Sequence, residues 1–302
     1  MKKTRLIITV LILMSCLLPA GARAQQELGN TLQEIKDTGV ILMGYRGDTA
    51  IPFCYPDGKG QPIGYAMEYA WKIVDAIKER LNMPELKVQL VPITTQNRIF
   101  LLTKGAYHFE CGSTTNNKER QRQVGFSNTI FVCDTRFLVE KSSGIKDYSD
   151  LQDKNVIVTA GTTSEGRLHD LNDSEQLGMR IISTKNYSDA LKTVDSGRAA
   201  AFLLDDILLA GEIAVSGNPG NWEIVGTPLS HEAYGCMIRR RDNQFKSLVD
   251  EVIAQTQLSG QAEKWFIRWF QQAIPPNGIN LNFELSDSMK ELFQHPNDTP
   301  FQ

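Results

Sequence analysis

The sequence contains few of the residues that hold metals or attack substrates. Among its 302 residues are four histidines, at positions 108, 169, 231 and 295, and five cysteines, and no C-x-x-C pair occurs. Zinc and haem sites need such residues at short, defined spacings, so we expect no metal and no cofactor. Serine, histidine and aspartate form no recognisable triad pattern, which disfavours a hydrolytic enzyme.

Long apolar runs are also scarce, and the one that exists lies at the start of the chain. Met1 to Arg5 contains three basic residues, residues 6–18 are largely apolar, and Ala22-Arg23-Ala24 follows. This order predicts a cleaved signal peptide over residues 1–24, and therefore export. Leu13-Met14-Ser15-Cys16 weakly resembles a lipoprotein cleavage site, so a lipid anchor is a minor alternative. No later stretch approaches the ~20 apolar residues of a membrane-spanning helix.

Excess positive charge is absent from the predicted mature chain. Cleavage after residue 24 removes four of the 32 basic residues and none of the 35 acidic ones, which leaves a net charge of −7. Such an acidic chain is poorly suited to binding nucleic acids. Four cysteines remain, and in an oxidising compartment they permit three alternative pairings among Cys54, Cys111, Cys133 and Cys236.

Apolar and amphipathic segments alternate along the first half of the chain and predict an α/β fold. Strands are expected at residues 40–45, 87–93 and 107–111, with helices at residues 66–81 and 97–104. This order gives a parallel sheet with helices on both faces, and ligands of such sheets bind at the carboxyl ends of the strands. Three polar groups follow strand ends and are expected to converge on an anion: Arg46, Thr95 with Arg98, and residues 113–120.

The last of these groups has the composition of a carboxylate-binding segment. Gly112 would let a ligand approach the backbone closely, and Ser113 and Thr115 supply hydroxyl groups. Residues 114–117 are expected to cap a helix whose free N–H groups attract an anion, with Arg120 at the same end. The alternative is a capped helix followed by a solvated arginine.

The β/α pattern then starts again. Strands are expected at residues 156–158, 180–183 and 200–204, with helices at residues 166–171 and 188–196, and the third strand delivers Asp205 at its end. Extended segments at residues 129–136 and 233–238 connect the two halves. We therefore predict two lobes, each a mainly parallel sheet flanked by helices, joined by a two-stranded hinge. Two tandem domains joined by a single linker are the alternative.

Several longer motifs carry a family resemblance that extends from about residue 30 to the end. They are Ile93-Thr94-Thr95-Gln96-Asn97-Arg98, Phe109-Glu110-Cys111-Gly112-Ser113-Thr114-Thr115-Asn116-Asn117, Glu232-Ala233-Tyr234-Gly235-Cys236-Met237, Ala262-Glu263-Lys264-Trp265-Phe266 and Asn282-Phe283-Glu284-Leu285-Ser286-Asp287. These resemble the periplasmic glutamate/aspartate-binding proteins of bacterial ABC importers, within extracellular solute-binding protein family 3. The resemblance implies a two-lobed periplasmic-binding-protein fold without catalysis. It also implies a periplasmic monomer that delivers L-glutamate or L-aspartate to the permease subunits of an ABC transporter.

The same resemblance implies lobe boundaries and ligand contacts. Lobe 1 is expected at residues 25–133 and 235–302, and lobe 2 at residues 134–234. The implied contacts of the ligand's side-chain carboxylate are Arg46, Thr95 and Arg98. The implied contacts at the α-carboxylate end are Ser113, Thr115, Arg120 and Thr163, and the α-ammonium is expected to donate hydrogen bonds to Asp205.

Tyr187 departs from the family pattern, which has a histidine contact to the side-chain carboxylate at this position. Tyrosine can donate a neutral hydrogen bond but supplies no charge, so this contact should weaken and lose its pH dependence. The alternative is that Tyr187 only packs beside the cleft. Cys111 and Cys236 match the family, and the resemblance implies a disulfide between them; the alternative is two buried thiols.

Two other functional classes stay open at this point. A cleft enzyme such as a dehydratase would need an acid or base that no neighbour neutralises, and the candidates are Glu110, Glu165 and Asp206. Capping of the helix that starts near Thr162 already accounts for Glu165. An extracellular sensor would need a separate signalling partner.

Overall fold

The computed structural model describes residues 30–47 and 50–300, so the predicted signal peptide lies outside the described residues. The helices in this range are α1 (Asn30–Thr38), α2 (Tyr65–Leu81), α3 (Arg98–Thr103), α4 (Thr163–Ser174), α5 (Tyr187–Asp195), α6 (Asp206–Val215), α7 (Asn243–Leu258), α8 (Gln261–Phe270) and α9 (Asp287–Gln294). Among these described helices, none is long and apolar enough to cross a membrane.

Eight of the ten strands in residues 30–47 and 50–300 form one sheet. The strands are β1 (Val40–Arg46), β2 (Tyr55–Pro56), β3 (Pro62–Ile63), β4 (Lys87–Ile93), β5 (Phe109–Glu110), β6 (Gly125–Glu140), β7 (Asn155–Thr159), β8 (Arg180–Thr184), β9 (Ala201–Asp205) and β10 (Trp222–Ile238). The order in the large sheet is β4-β1-β5-β10-β6-β9-β7-β8, and β2 pairs with β3 in a small separate sheet. Strands β4, β1 and β5 are parallel at one end, and β8, β7 and β9 are parallel at the other.

Strands β6 and β10 are long antiparallel neighbours that pass from one parallel group to the other. Near their midpoints Cys133 pairs with Glu232 and Asp134 pairs with His231, and the register shifts between Val225 and Ser230. Two crossings therefore connect the halves, as the sequence predicted, and the alternative of a single linker is wrong. The predicted two-lobed architecture follows from this pair of strands. Lobe 1 here denotes the half that contains β4, β1 and β5, and lobe 2 the half that contains β8, β7 and β9.

The core of lobe 1 is built on an aromatic cluster around Phe53. Its ring centroid lies 4.9 Å from that of Phe131 and 5.2 Å from that of Tyr234, which the central strand β10 contributes. Helix α2 packs Tyr65 and Tyr69 towards this cluster, and four-residue spacing keeps such side chains on one helix face. Each fully buried side chain of this size contributes roughly 1.5–3 kcal/mol of transfer free energy, so the cluster is a major source of lobe stability.

Both ends of the described chain pack on lobe 1. The backbone N–H of Thr31 in α1 donates to Oδ2 of Asp242 at 2.8 Å, just before α7. Near the other end, the carbonyl of Asp298 accepts from Nδ2 of Asn116 at 2.9 Å, and its carboxylate lies 3.0 Å from Nζ of Lys246. Lobe 2 is thus held to lobe 1 through the central strands and the contacts across the cleft.

The cysteines resolve into one disulfide and two buried thiols. Cys111 directly follows β5, Cys236 lies in the neighbouring strand β10, and the two are joined, which confirms the predicted pairing. Cys54 and Cys133 are not in disulfides, and both are buried. The disulfide connects parts of lobe 1 that are 125 positions apart in sequence.

The helix predicted after residues 114–117 is wrong. Asn116 donates its backbone N–H to the carbonyl of Ala233, and only a single 3-10 turn, Arg120–Arg122, follows. Asn117 caps this turn, with Oδ1 accepting from the backbone N–H of Arg120 at 2.8 Å. Since β6 already begins at Gly125, no room remains for an α-helix before the chain enters the central strand pair.

Candidate functional site

The predicted site residues come from strand ends and the turns that follow them, in both lobes. From lobe 1 they are Arg46 at the end of β1, Thr95 after β4, Arg98 at the start of α3, Ser113 and Thr115 after β5, and Arg120 in the 3-10 turn. From lobe 2 they are Thr163 at the start of α4, Tyr187 at the start of α5 and Asp205 at the end of β9. All except the half-buried Thr163 are buried, as residues on the walls of a closed cleft would be.

The guanidinium group of Arg98 is buried, and part of it has no hydrogen-bond partner among the described residues. The residue is 2% exposed, and its Nε and Nη1 are the atoms without a partner in the described part of the chain. Burial lowers the pKa of Arg98 below its ordinary value, and the neighbouring Arg46 lowers it further. An arginine remains charged at neutral pH despite such a shift, and a buried charge without direct partners is costly. An anion placed here would satisfy both nitrogens.

Arg46 and Tyr187 meet across the cleft. Nη1 of Arg46 donates to the Tyr187 hydroxyl at 3.4 Å, and the guanidinium carbon lies 5.2 Å from the centre of the tyrosine ring. This is a cation–π geometry as well as a hydrogen bond. Tyr187 is 2% exposed, and its ring belongs to the large hydrophobic cluster that also contains Phe53 and Phe131.

Arg120 is held by two backbone carbonyls. Nη1 donates to the carbonyl of Thr115 at 3.0 Å, and Nη2 donates across the cleft to Gly161 at 3.3 Å. Burial, followed by the charge of Arg98, lowers the pKa of Arg120 to about 10, so the group remains cationic at neutral pH. These two hydrogen bonds fix the orientation of its planar fork of donors in the closed conformation.

Two hydroxyl groups face the same region without a partner. Thr95 Oγ1 and Ser113 Oγ are buried and lack a hydrogen bond within the described part of the chain. The Thr163 hydroxyl, by contrast, donates to Oε2 of Glu232 at 3.2 Å. Because buried polar atoms in folded proteins are nearly always paired, these two hydroxyls are available to hydrogen-bond a polar ligand.

Two acids balance part of the positive charge, Glu110 and Glu232. Sequence reasoning considered Glu110 only as a candidate acid or base of a cleft enzyme, and it missed Glu232. Glu110 is fully buried, accepts a hydrogen bond from Thr114 at 2.6 Å, and lies close enough to Arg98 for their charges to interact. Burial raises the pKa of Glu110, while Arg98 opposes that rise. Glu232 is 2% exposed and lines the cleft. Glu110 lies in β5 and Glu232 lies in β10, and most residues around them in these strands are buried. An acidic residue within such a segment is the sequence signal that could have pointed to the site.

Asp205 is anchored in lobe 2 by two hydroxyl groups. Thr135 donates to Oδ1 at 3.1 Å, and the Tyr234 hydroxyl donates to Oδ2. Burial, followed by the charge of Glu232, raises the pKa of Asp205 to about 8. The carboxyl group therefore has a strong preference for a cation or a proton close by.

The lobes touch directly beside this site. Nε2 of Gln96 in lobe 1 donates to the carbonyls of Ala160 at 3.0 Å and Lys185 at 3.1 Å in lobe 2. Gly161 has φ of 78°, and a Cβ atom there would lie 2.7 Å from the carbonyl oxygen of Thr95. A cleft of about 800 Å³ opens next to these contacts and beside Arg120. The conformation is a closed one.

The described residues contain no group of three or more His, Cys, Asp and Glu side chains that could hold a metal ion. The arrangement is instead one of buried guanidinium groups, unpartnered hydroxyls and a carboxyl group beside the cleft. Such a set binds a molecule that has both anionic and cationic groups. Of the nine predicted site residues, four line the cleft itself: Thr95, Thr115, Arg120 and Thr163.

The model of the bacterial extracellular solute-binding proteins, family 3, matches residues 41–272, which is more than half of the chain. The chain belongs to this family. It is 56% identical over 270 residues, 89% of each chain, to a protein of Escherichia coli named glutamate/aspartate import solute-binding protein. It is also 49% identical over 273 residues, 90% of each chain, to the L-glutamate/L-aspartate-binding protein of Pseudomonas aeruginosa.

A solved structure shares the fold of this family 3 protein. It is an ancestral amino acid-binding protein, described as a precursor of cyclohexadienyl dehydratase, with 27% identity and a TM-score of 0.69 over 80% of this chain and 100% of its own. The predicted family and the predicted two-lobed fold are both confirmed. The two sequence relatives are named as binding proteins, which agrees with the expectation that this chain is not an enzyme.

Proposed function

We propose that this family 3 protein captures L-glutamate or L-aspartate in the interlobe cleft and delivers it to the permease subunits of an ABC-type importer. The names of the relatives at 56% and 49% identity support this ligand class, and that of the Escherichia coli relative includes import. The proposed location is the periplasm, and the proposed working form is a monomer.

The observation that carries the proposal is the buried guanidinium of Arg98. Two of its nitrogens lack a hydrogen-bond partner among the described residues, next to the equally unpartnered Thr95 hydroxyl. A second carboxylate, beyond the one that every amino acid has, would satisfy these donors. Charge-assisted hydrogen bonds of this kind contribute about 1.5–3 kcal/mol each.

Each polar group of the ligand has a proposed set of contacts. The side-chain carboxylate is assigned to Arg46, Thr95, Arg98 and the hydroxyl of Tyr187. The α-carboxylate is assigned to Ser113, Thr115, Arg120 and Thr163, and the α-ammonium to Asp205. The burial of these residues, and the open donors on Ser113, Thr95 and Arg98, support the assignment.

This set of contacts also explains how neutral amino acids would be excluded. Glutamine has an amide in place of the side-chain carboxylate, so its NH₂ group would face the N–H donors of Arg98. That placement leaves a buried charge unpaired, and sites built on such charges discriminate strongly between ligands of the same shape.

The proposed lobes are residues 25–133 with 235–302, and residues 134–234. The midpoint pairs of the long strands, Cys133 with Glu232 and Asp134 with His231, lie at these boundaries. We infer that closure rotates lobe 2 about this part of the strand pair, and that ligand stabilises the closed state because it contacts both lobes.

The test is calorimetry with L-glutamate, L-aspartate and L-glutamine, followed by mass analysis of the recovered ligand. We expect one ligand per chain for the two acidic amino acids, weak or no binding of glutamine, and chemically unchanged ligand. Conversion of the ligand would instead establish a cleft enzyme, and strong glutamine binding would contradict the proposed role of Arg98.

Arg120→Ala tests the proposed α-carboxylate contact. We expect binding of both acidic amino acids to weaken by about 100-fold or more, because a buried bidentate donor is lost. Arg122→Ala is the matched control, since Arg122 belongs to the same 3-10 turn but is exposed. Equal affinities for the two variants in calorimetry would contradict the assignment.

A further inference from the structure

Asp205 and Glu232 form a buried carboxyl pair in the hinge region. They are 5% and 2% exposed, and one oxygen, Oγ1 of Thr135, lies 3.1 Å from Oδ1 of Asp205 and 3.4 Å from Oε1 of Glu232. Oγ of Ser230 lies 2.6 Å from the same Oε1 and 3.0 Å from Oγ1 of Thr135. Two carboxylates linked this closely in a buried site cannot both be charged without strong repulsion.

The number of hydroxyl protons in this network is too small for its contacts. The hydroxyls of Thr135 and Ser230 take part in four contacts at hydrogen-bond distance: one with Asp205, two with Glu232 and one with each other. Each hydroxyl has one proton to donate, so these groups supply two protons for four contacts. A further proton on the carboxyl pair turns a third contact into a hydrogen bond.

The surrounding charges favour the same proton. The other titratable or charged groups that face the pair are Tyr234, Cys133, Asp206 and Arg120. Burial, followed by the Glu232 charge, raises the pKa of Asp205 to about 8. Burial raises the pKa of Asp206 to about 6, and its charge adds to the repulsion at Asp205. Arg120 acts in the opposite direction, as a cation near both acids.

We propose that Glu232 and Asp205 together form the ammonium-binding group of the cleft, and that the pair holds one shared proton which the ligand's α-ammonium replaces. This inference rests on the proposed function, because it needs a ligand with an ammonium group next to Asp205. The ammonium brings a positive charge and three N–H donors, so it satisfies both carboxylates without the shared proton.

Proton release gives the affinity a defined pH dependence. Below the pKa of Asp205, which is about 8, the ligand must displace a proton to bind, so binding weakens as the pH falls. The dissociation constant should rise by about tenfold for each pH unit between about pH 7.5 and pH 5.5. Above the pKa of Asp205 the proton is already lost, and the affinity should level off.

The decisive measurement is calorimetry of L-glutamate binding near pH 7 in several buffers that differ in their heat of protonation. The slope of the observed heat against the buffer heat gives the number of protons released. For the unmodified chain we expect close to one proton per ligand. Binding without net proton release, or an affinity that does not change with pH, would overturn the proposal.

Two matched variants identify the source of the proton. Glu232→Gln removes the like charge beside Asp205 and keeps the shape of the side chain. The number of protons released per bound ligand should therefore fall to less than about half. Asp206→Asn removes the adjacent acid, whose Oδ1 accepts from the backbone N–H of Ile207 and lies outside the Thr135 and Ser230 network. It should still release close to one proton, and loss of the release in Asp206→Asn alone would contradict the role of Glu232.

Failure of the proposed function can be distinguished from failure of the carboxyl-pair proposal. If neither acidic amino acid binds, the same titration is run with whichever neutral or basic α-amino acid does bind, since each has the α-ammonium. Proton release with that ligand would support the carboxyl pair while the acidic ligand class would be wrong. If Glu232→Gln does not fold, the pH dependence of the unmodified chain still decides the proposal.

Discussion

At the scale of single residues, Tyr187 of lobe 2 contacts Arg46 of lobe 1. Its ring lies against the Arg46 guanidinium and its hydroxyl accepts a hydrogen bond from Nη1. A tyrosine hydroxyl is neutral throughout the physiological pH range, so it adds a donor for the proposed side-chain carboxylate without adding charge. The sequence showed that a tyrosine replaces the histidine of the family pattern at this position. It could not show the stacking on Arg46, because that contact depends on how lobe 2 closes over lobe 1.

The variant Tyr187→His should introduce a pH dependence that the tyrosine lacks. An imidazole becomes positively charged below its pKa and would then attract the ligand's carboxylate, so its contribution to affinity appears as the pH falls. We expect the affinity of the variant relative to the unmodified chain to improve by about fivefold from pH 7.5 to pH 5.5. The measurement is the dissociation constant of L-glutamate at both pH values.

The ratio of the two dissociation constants, variant to unmodified chain, cancels the pH dependence that both proteins share through Asp205. Tyr187→Phe is the control, because it keeps the ring and removes only the hydroxyl. Its ratio to the unmodified chain should stay constant with pH. The same constant ratio in Tyr187→His would mean that residue 187 packs beside the cleft without contacting the ligand.

At the scale of elements, local patterns located the regular structure well. Strand β1 and helix α2 begin and end within one residue of their predicted bounds, because their apolar side chains repeat at the period of a strand or a helix. The segment after β5 was predicted less well. Thr114 and Asn116 bond to backbone groups of β10 that lie more than 100 positions later, and no local pattern reports such pairing.

Gly112 illustrates the same limit at the site. The sequence favoured a close approach of ligand to its backbone. In the structure, the atom nearest to a Cβ placed at Gly112 is Oε2 of the buried Glu110, at 2.9 Å. The position of Arg46, Thr95 and Ser113 after strand ends was nevertheless predictable, and the ends of parallel strands meet at one edge of a sheet.

The disulfide between Cys111 and Cys236 should stabilise lobe 1 substantially. It joins two neighbouring strands across a loop of 125 residues, and a long closed loop restricts the unfolded chain most. For Cys111→Ser with Cys236→Ser we expect a loss of about 2–5 kcal/mol in the free energy of unfolding, measured by urea denaturation. Reducing agent should destabilise the unmodified chain by a similar amount and leave the variant unchanged.

Two findings would contradict this prediction. One is an equal urea midpoint for the variant and the unmodified chain. The other is a further loss of stability when the variant is treated with reducing agent. Cys54 and Cys133 remain in the variant, and they form no disulfide that a reducing agent could break.

At the scale of the whole molecule, the closed conformation is supported by a contact that is separate from the proposed ligand contacts. The Gln96 amide bonds to two carbonyls of lobe 2, while Gly161 allows the backbones to approach. The repeated β/α pattern predicted two lobes. It could not predict this contact, because side chains from different lobes meet only when the hinge angle is set.

Gln96→Ala should shift the protein towards an open conformation. Two interlobe hydrogen bonds are lost, and each contributes about 0.5–1.5 kcal/mol. Binding of L-glutamate and binding of L-aspartate should therefore weaken by one common factor, about 5-fold to 150-fold. Small-angle scattering without ligand should show a larger radius of gyration. Gln123→Ala, at another residue lining the cleft, should change neither quantity.

A change in the ratio of the two affinities in Gln96→Ala would mean that Gln96 contacts the ligand itself. An unchanged radius together with unchanged affinities would mean that the two carbonyl contacts do not determine closure.

Since both ends of the described chain pack on lobe 1, a fluorescent reporter or surface tether attached through either end would move with that lobe. Two such reporters would keep nearly the same separation when the cleft opens, and would report ligand poorly. A reporter inserted in the exposed turn at residues 217–220 of lobe 2, paired with one at either end, would instead follow the moving half. The packing of the chain ends thus determines where an optical amino-acid sensor built on this protein must be labelled.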